Sequence, residues 1–400
     1  MIETVIYIEV CQIQLVAYIS RLSNPLYRSL NKIMEFKNVL VTGEAGMLSR
    51  QQLFCKAMSP YFENLECLPG GQLYEGKLLN LRRKVIAKIN ALVSPSKKDR
   101  YWKNERAFIT LSQRTERQIR QLEYVPDLVF HFYCTYGPFW EKFDIPYVMY
   151  LDYTMALAKR TWRAWAPFNN QKEFDSWVDC ERIVYERAHH LFAMGNFVKS
   201  SLVEDYGIKP ENITVIGYSG NFGQPYEGEK TFGSKQILLN GSDWERKGGD
   251  LVLAAFKQVK KAIPEATLVI LGKKLLIHED GVINPGPISD LSEMRNLFLK
   301  TDLVVATARC DPFPRFVMEA MNYGVPCIVS AIDGMPEIID DKVNGIVIEQ
   351  LTPDVLAHQI TNLLSDIPVL TSMSQNARDK VKNKFNWNAL AKNISQVLSS

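Results

Sequence analysis

The chain has 400 residues, 46% of them hydrophobic and 23% charged, with a formal net charge of +3. This is an ordinary soluble composition, too long for one core and sized for two domains of about 150–200 residues; its near balance of charge excludes bulk attraction to nucleic acid. Seven scattered cysteines without a Cys-x-x-Cys pair argue against zinc or disulfide frameworks and favour a reducing compartment, and without a run of 18 apolar residues no membrane span is expected.

Residues 1–20 are apolar but carry Glu3, Glu9, Gln12 and Gln14 and lack a basic start, so they do not read as a secretory leader. Residues 1–34 are set apart as an N-terminal extension: either they lie upstream of a natural start at Met34, or they are a genuine extra element. Residues 38–42 predict a buried strand, Gly43-Glu-Ala-Gly46 a turn, and residues 48–58 a helix. This is not Gly-x-Gly-x-x-Gly, and no Gly-x-x-x-x-Gly-Lys-[Ser/Thr] occurs, so dinucleotide and P-loop signatures are absent.

Leu78, Leu81, Val85, Ile89 and Leu92 recur at helical spacing. Residues 77–120 hold 13 Lys/Arg and 3 Asp/Glu, a local balance of +10. That surface is either a solvated helix face or a dock for an anionic membrane surface. Residues 126–131 and 146–151 read as further strands. Fifteen of the 43 aromatic residues lie between Phe130 and Trp177, enough to fill core and also to offer ring faces to a sugar; Trp162, Trp165 and Phe168 lie in an Arg-rich loop. A helix over 177–190, a strand over 191–194, a helix over 197–206 stopped by Gly207, and a strand over 213–216 follow. A polar, Gly-rich linker spans about 222–234. Five strand–helix pairs then begin at Gln236, an alternation that predicts a parallel sheet covered on both faces. Phe385-Asn-Trp387 opens a last helix.

The most informative stretch is Asp311-Pro-Phe-Pro-Arg-Phe-Val-Met-Glu319, followed by Gly324. Pro314 suits a first helical turn and Gly324 a helix stop, with a strand over 325–330. An acid thus precedes the helix and another lies inside it. The helix start suits a phosphate, and carboxylates bind hydroxyls. Phosphate plus polyol points to a nucleotide sugar.

This stretch resembles the E-x7-E region of retaining glycosyltransferases of family 4. Asp311 stands where that family usually has its first Glu, and Glu319 matches the second. Asp333-Gly-Met-Pro-Glu337 and Asn344-Gly345 resemble two of its turns, and Gly241-Ser-Asp-Trp-Glu-Arg246-Lys247-Gly248-Gly249 resembles its phosphate-contacting loop. The likeness runs from about 180 to 390. It implies an α/β GT-B fold: two Rossmann-like parallel-sheet domains facing across a cleft, with a C-terminal helix crossing back. The expected divisions are 35–222 on the acceptor side, 223–385 for the nucleotide sugar, and 386–400 for the returning helix.

The resemblance also implies roles. Lys247, with Arg246, would hold the donor diphosphate; Ser242 occupies the family's usual Arg position. Gly46 would face the diphosphate. Phe316 and Val317 would offer backbone N–H groups, Pro287 and Ile288 would cradle the base, and Glu319 would bind ribose hydroxyls. Asp311 would serve the transferred sugar. Asp152, where the family often has a His, and His131 are catalytic candidates on the acceptor side. The implied activity is metal-independent, retaining hexosyl transfer, without a cofactor, from a UDP- or GDP-linked sugar to a glycan, lipid-linked or small-molecule acceptor. The expected setting is cytoplasmic, at the inner face of the plasma membrane if the basic segment docks there. The alternative is a nucleotide-sugar-binding protein of the same fold that has lost catalysis, since Asp311, Ser242 and Asp152 depart from the family pattern.

Overall fold

The computed structural model describes residues 36–71, Val85 and 102–399. The N-terminal extension over 1–34 and, apart from Val85, the 77–101 part of the basic segment lie outside the described residues. The chain divides into two compact units. Of the described residues, the first takes in those up to Ala193, 198–216 and those from 387 onward; the second takes in 194–197 and 217–386.

The first unit is built on six strands: β1 (Asn38–Glu44), β2 (Asn64–Gly70), β3 (Leu128–Phe132), β4 (Tyr147–Leu151), β5 (His190–Ala193) and β6 (Ile213–Val215). All pair in parallel, in the order β2-β1-β3-β4-β5-β6. Every residue of β3 and β4 is buried, as continuous apolar runs in a sheet covered on both faces should be. Its helices are α1 (Ala45–Leu48), α2 (Gln52–Met58), α3 (Glu105–Arg120), α4 (Met155–Thr161), α5 (Gln171–Glu186) and most of α6 (Asn196–Glu204). The helix expected over 48–58 is interrupted by a tighter turn at Ser49–Gln51.

The second unit repeats the plan with β7 (Gln236–Asn240), β8 (Thr267–Leu271), β9 (Val282–Gly286), β10 (Leu303–Ala306), β11 (Cys327–Ser330) and β12 (Gly345–Ile348). Their order is β12-β11-β10-β7-β8-β9, again all parallel. Helices α7 (Gly249–Ala262), α8 (Leu291–Lys300), α9 (Arg315–Asn322), α10 (Met335–Ile338), α11 (Pro353–Ser365) and α12 (Ile367–Asn383) flank it. Val252, Ala255, Phe256 and Val259 of α7 are buried, the 3.6-residue stripe of a helix laid on a sheet. At the end of α9 the Val325 N–H donates to the Ala320 carbonyl and the Gly324 N–H to the Met321 carbonyl, both at 2.9 Å. Gly324 has φ +70° there, so the helix stops in a Schellman turn that favours glycine.

Two strands were not anticipated. β2 and β9 carry Pro69 and Pro285, and each lies at the edge of its sheet, the place where a missing N–H is tolerated. The second sheet therefore has six strands rather than five, and Pro285 and Gly286 close β9 just ahead of Pro287 and Ile288.

The last helix, α13 (Trp387–Leu398), belongs to the first unit. Its Trp387 meets Phe54 of α2 edge-on at 5.9 Å, and Phe54 also meets Phe130, Phe132 and Tyr150. One ring thus ties the crossover helix, the sheet and the C-terminal helix together. Phe54→Ala is expected to cost about 3–5 kcal/mol, the range for truncating a buried aromatic, read as a lower denaturant midpoint for the first unit.

Candidate functional site

In an open parallel sheet a ligand binds beyond the carboxyl ends of the strands, where the strand order reverses. In the second unit that point lies between β7 and β10, since the two halves of the sheet run outward from this pair. The loops that leave these strands carry Arg246 and Lys247 on one side and Arg309, Cys310 and Asp311 on the other.

The two loops are stapled together. The Arg309 N–H donates to the Arg246 carbonyl at 2.7 Å. Arg246 Nη1 donates to the Cys310 carbonyl at 2.6 Å, and its Nε to Asp243 at 2.8 Å. The Arg309 guanidinium forks onto Asp250 at 2.8 and 2.6 Å and holds that carboxyl below its ordinary range. Lys247 Nζ closes onto Asp311 in a direct ion pair, with Arg246 Nη1 3.6 Å from the same oxygen. Both partners are largely buried, with 15% and 11% of their side chains exposed. The Asp311 N–H donates to Asp333 Oδ2 at 2.9 Å. Gly248 caps α7 at φ +70°, and a Cβ there would stand 2.2 Å from the Thr307 carbonyl. Only glycine lets the two loops approach this closely.

A pocket lies at this point, lined by Asn240, Lys247, Asp311, Pro314, Phe316 and Val317 over an aliphatic floor. Pro314 caps α9 in an extended conformation. Val317, expected to offer its N–H, spends it on the Pro314 carbonyl at 3.1 Å. The N–H groups at the start of α9 that lack an intrahelical acceptor are those of Arg315 and Phe316.

The remaining candidates stand apart from this lining. Arg246 is committed to Asp243 and Cys310. Glu319 is half-buried one turn further along α9 and accepts from the Asn221 N–H at 2.9 Å; burial pushes its carboxyl above the ordinary range, against the pull of that bond and of Arg315. Pro287 is exposed and Ile288 half-buried after β9.

Gly46, His131 and Asp152 belong to the first unit. Gly46 is exposed within α1, whose start is capped by Glu44 Oε2 accepting from the Met47 N–H at 3.0 Å. His131 is wholly buried on β3 and its Nε2 donates to the Tyr136 carbonyl at 2.9 Å; burial pushes its pKa down to about 4. Its ring is neutral and inside the sheet's cover. Asp152 is half-buried directly after β4.

Residues 228–380 match the family described as Glycosyl transferases group 1. The matched stretch lies within the second unit. The D-inositol 3-phosphate glycosyltransferase of Segniliparus rotundus is 22% identical over 213 residues, 48% of this chain and 47% of that one. The chain spans about half the length of the curated relatives it matches. Sucrose-phosphate synthase from Thermosynechococcus elongatus superposes with a TM-score of 0.63 at 16% identity, covering 90% of this chain and 98% of that one. Anabaena HepE, solved with UDP and glucose, gives 0.56 at 15% identity, covering 91% and 100%. The two six-stranded parallel sheets are those of the GT-B fold.

Within the second unit, the sequence alone does not single out Arg309, Asn240 or Asp333 as site-building residues. Their signal was position: Asn240 is the last residue of β7, Arg309 lies in the loop after β10, and Asp333 sits in the Asp333-Gly334 turn. The pairing of Lys247 with Asp311 had no signal, because spacing along a chain does not say which loops meet.

One further network supports the loop that bears Asp152. Glu181 of α5 is buried, accepts from the Met155 N–H at 3.2 Å, and takes the Tyr206 hydroxyl in a short hydrogen bond. Burial pushes its pKa up to about 7, against those bonds.

Two measurements follow from this geometry. A double-mutant cycle of Lys247→Ala and Asp311→Ala is expected to give a coupling energy of about 1–3 kcal/mol in unfolding of the second unit; strict additivity would dissolve the pair. Glu181 binds a proton more tightly folded than unfolded, so its contribution to stability is full below about pH 4.3 and fades as pH rises through about 7, by about 1.4 kcal/mol per unit. The stability of the first unit relative to that of Glu181→Gln should therefore fall between pH 5 and 7.5.

Proposed function

We propose that the chain is a retaining, metal-independent hexosyltransferase of family 4 with a UDP- or GDP-linked sugar as donor. The observation that carries this reading is the Lys247–Asp311 pair, cation and carboxylate side by side in the pocket at the switch point of a group 1 domain. Lys247 binds the donor diphosphate, joined by the Arg315 and Phe316 N–H groups at the head of α9. Glu319 takes the ribose hydroxyls, and Asp311 the hydroxyls of the transferred sugar. Arg246 positions Asp311 and the Cys310 backbone rather than the phosphates. Asp152 serves the acceptor side. His131 is left out, since its ring is buried and its donor spent. As the resemblance implies, the leaving phosphate accepts the proton of the acceptor hydroxyl on the face it departs from, so no protein nucleophile is needed. The protein contributes orientation and stabilisation of the diphosphate charge.

Nucleotide-sugar binding without transfer is the second reading. It draws on the same pair: Asp311 neutralises the cation that a leaving diphosphate would need, and Ser242 replaces a second one.

The test is release of nucleoside diphosphate from UDP- and GDP-hexoses, beginning with UDP-glucose, the donor seen bound to HepE. Turnover supports transfer; binding without turnover supports the second reading; neither removes both. Glu319→Gln is expected to weaken free UDP or GDP and intact donor alike. Asp311→Asn is expected to keep or tighten nucleoside diphosphate binding, because it frees Lys247, while lowering kcat. Full turnover by Asp311→Asn would remove the acid from the transferred-sugar site.

A further inference from the structure

The first unit holds a pair of thiols that the transfer reading does not use. Cys55 lies on α2 and is buried; Cys67 lies on the edge strand β2 and is exposed. Their sulfurs stand 3.4 Å apart. The two elements are consecutive, with α2 crossing over from β1 to β2, so Cys55 faces the strand it leads into. The other four described cysteines, Cys134, Cys180, Cys310 and Cys327, are buried.

We propose that Cys55 and Cys67 are a reversible disulfide site, oxidised by a low-molecular-weight disulfide such as glutathione disulfide. The asymmetry of the pair assigns the roles. Cys67 is exposed and open to a small oxidant, whereas Cys55 is buried with its sulfur against that of Cys67. The sulfur contact holds the Cys67 thiol below its ordinary value, and the same contact with burial holds Cys55 above its own. Cys67, the exposed member, is the one whose thiolate meets the oxidant.

The step balances. The Cys67 thiolate attacks one sulfur of the oxidant and expels one glutathione thiolate, which is protonated. Cys55 then loses its proton to solvent and attacks Cys67 Sγ, expelling the second glutathione thiolate. Two cysteine thiols are oxidised to one disulfide, and one small disulfide is reduced to two thiols. The sulfurs must close from contact to about 2.05 Å, a shift within reach of side-chain rotation.

The bond would fasten α2 to the edge of the sheet. β2 runs in register with β1 up to Gly43–Pro69 and Glu44–Gly70, so its last pairs abut the Gly43–Gly46 turn. Closing the bond restrains the strand that flanks that turn, and reduction releases it.

The full-length reduced protein is exposed to glutathione disulfide under native conditions, quenched with acid and mapped by mass spectrometry. The wild type should lose two hydrogens and yield one peptide linked through Cys55 and Cys67, reversed by dithiothreitol. Cys55→Ser should stop at a single glutathionyl adduct on Cys67. Cys67→Ser should gain no adduct at Cys55. The oxidised wild type should also melt roughly 5 °C above the reduced form, since a closed loop restricts the unfolded chain. A wild type that stays reduced, or that accumulates a stable glutathionyl adduct on Cys67 without linkage, overturns the proposal. The wild-type map decides it even if a variant fails to fold.

Discussion

The second unit depends on the meeting of two loops at the reversal of its strand order. Neither loop is held by regular structure. They are held by backbone and guanidinium bonds from Arg246 and Arg309, and by the Lys247–Asp311 pair. The arginines do the fastening with planar forks that reach carbonyls and carboxylates together. The lysine is left as a point charge at the pocket wall. This division explains why two adjacent cations, Arg246 and Lys247, have different work. The ion pair itself is weak evidence for stability, because stripping water from both charges cancels much of their attraction. Its value is the placement of opposite charges at one spot.

The first unit buries two titratable side chains away from any such pocket. His131, which stands on a strand near the carboxyl end of the sheet, is turned into the interior and neutral. Glu181 is held inside by Tyr206 and the Met155 N–H, where it orders the start of α4 and with it the segment that follows Asp152. The dense aromatic stretch divides between core and half-buried positions: Phe130, Phe132, Tyr136, Phe139, Tyr147, Tyr150 and Trp177 are fully or nearly fully buried, while Trp162, Trp165 and Phe168 are half-buried.

Much of this was legible in the sequence for a physical reason. Central strands of a parallel sheet are buried on both faces and must be apolar throughout, so β1, β3, β4 and β7 read clearly. Helix α9 was announced by Pro314 before it and Gly324 after it. Edge strands escape because nothing obliges them to be apolar: β2 reads Asn-Leu-Glu-Cys-Leu-Pro-Gly. Within the pocket, residue type and loop position were readable, and pairing was not. The sequence shows an Asp at 311 where the family has Glu, but not that Lys247 pairs with it. The Val317 N–H, free by its position near a helix start, is taken by the Pro314 carbonyl.

The edges carry one more consequence. A sheet's outer strand is a template on which another chain can add its own strand. Here β2 and β9 each include a proline, and β6 and β12 are only three and four residues long. A visiting strand would meet a gap in the row of donors at the first two and too short a row at the others. The same prolines that hid these strands from pattern reading thus make them poor seeds for intermolecular sheet growth, which lets a chain with two large, strongly apolar sheets be crowded without polymerising through its strand edges.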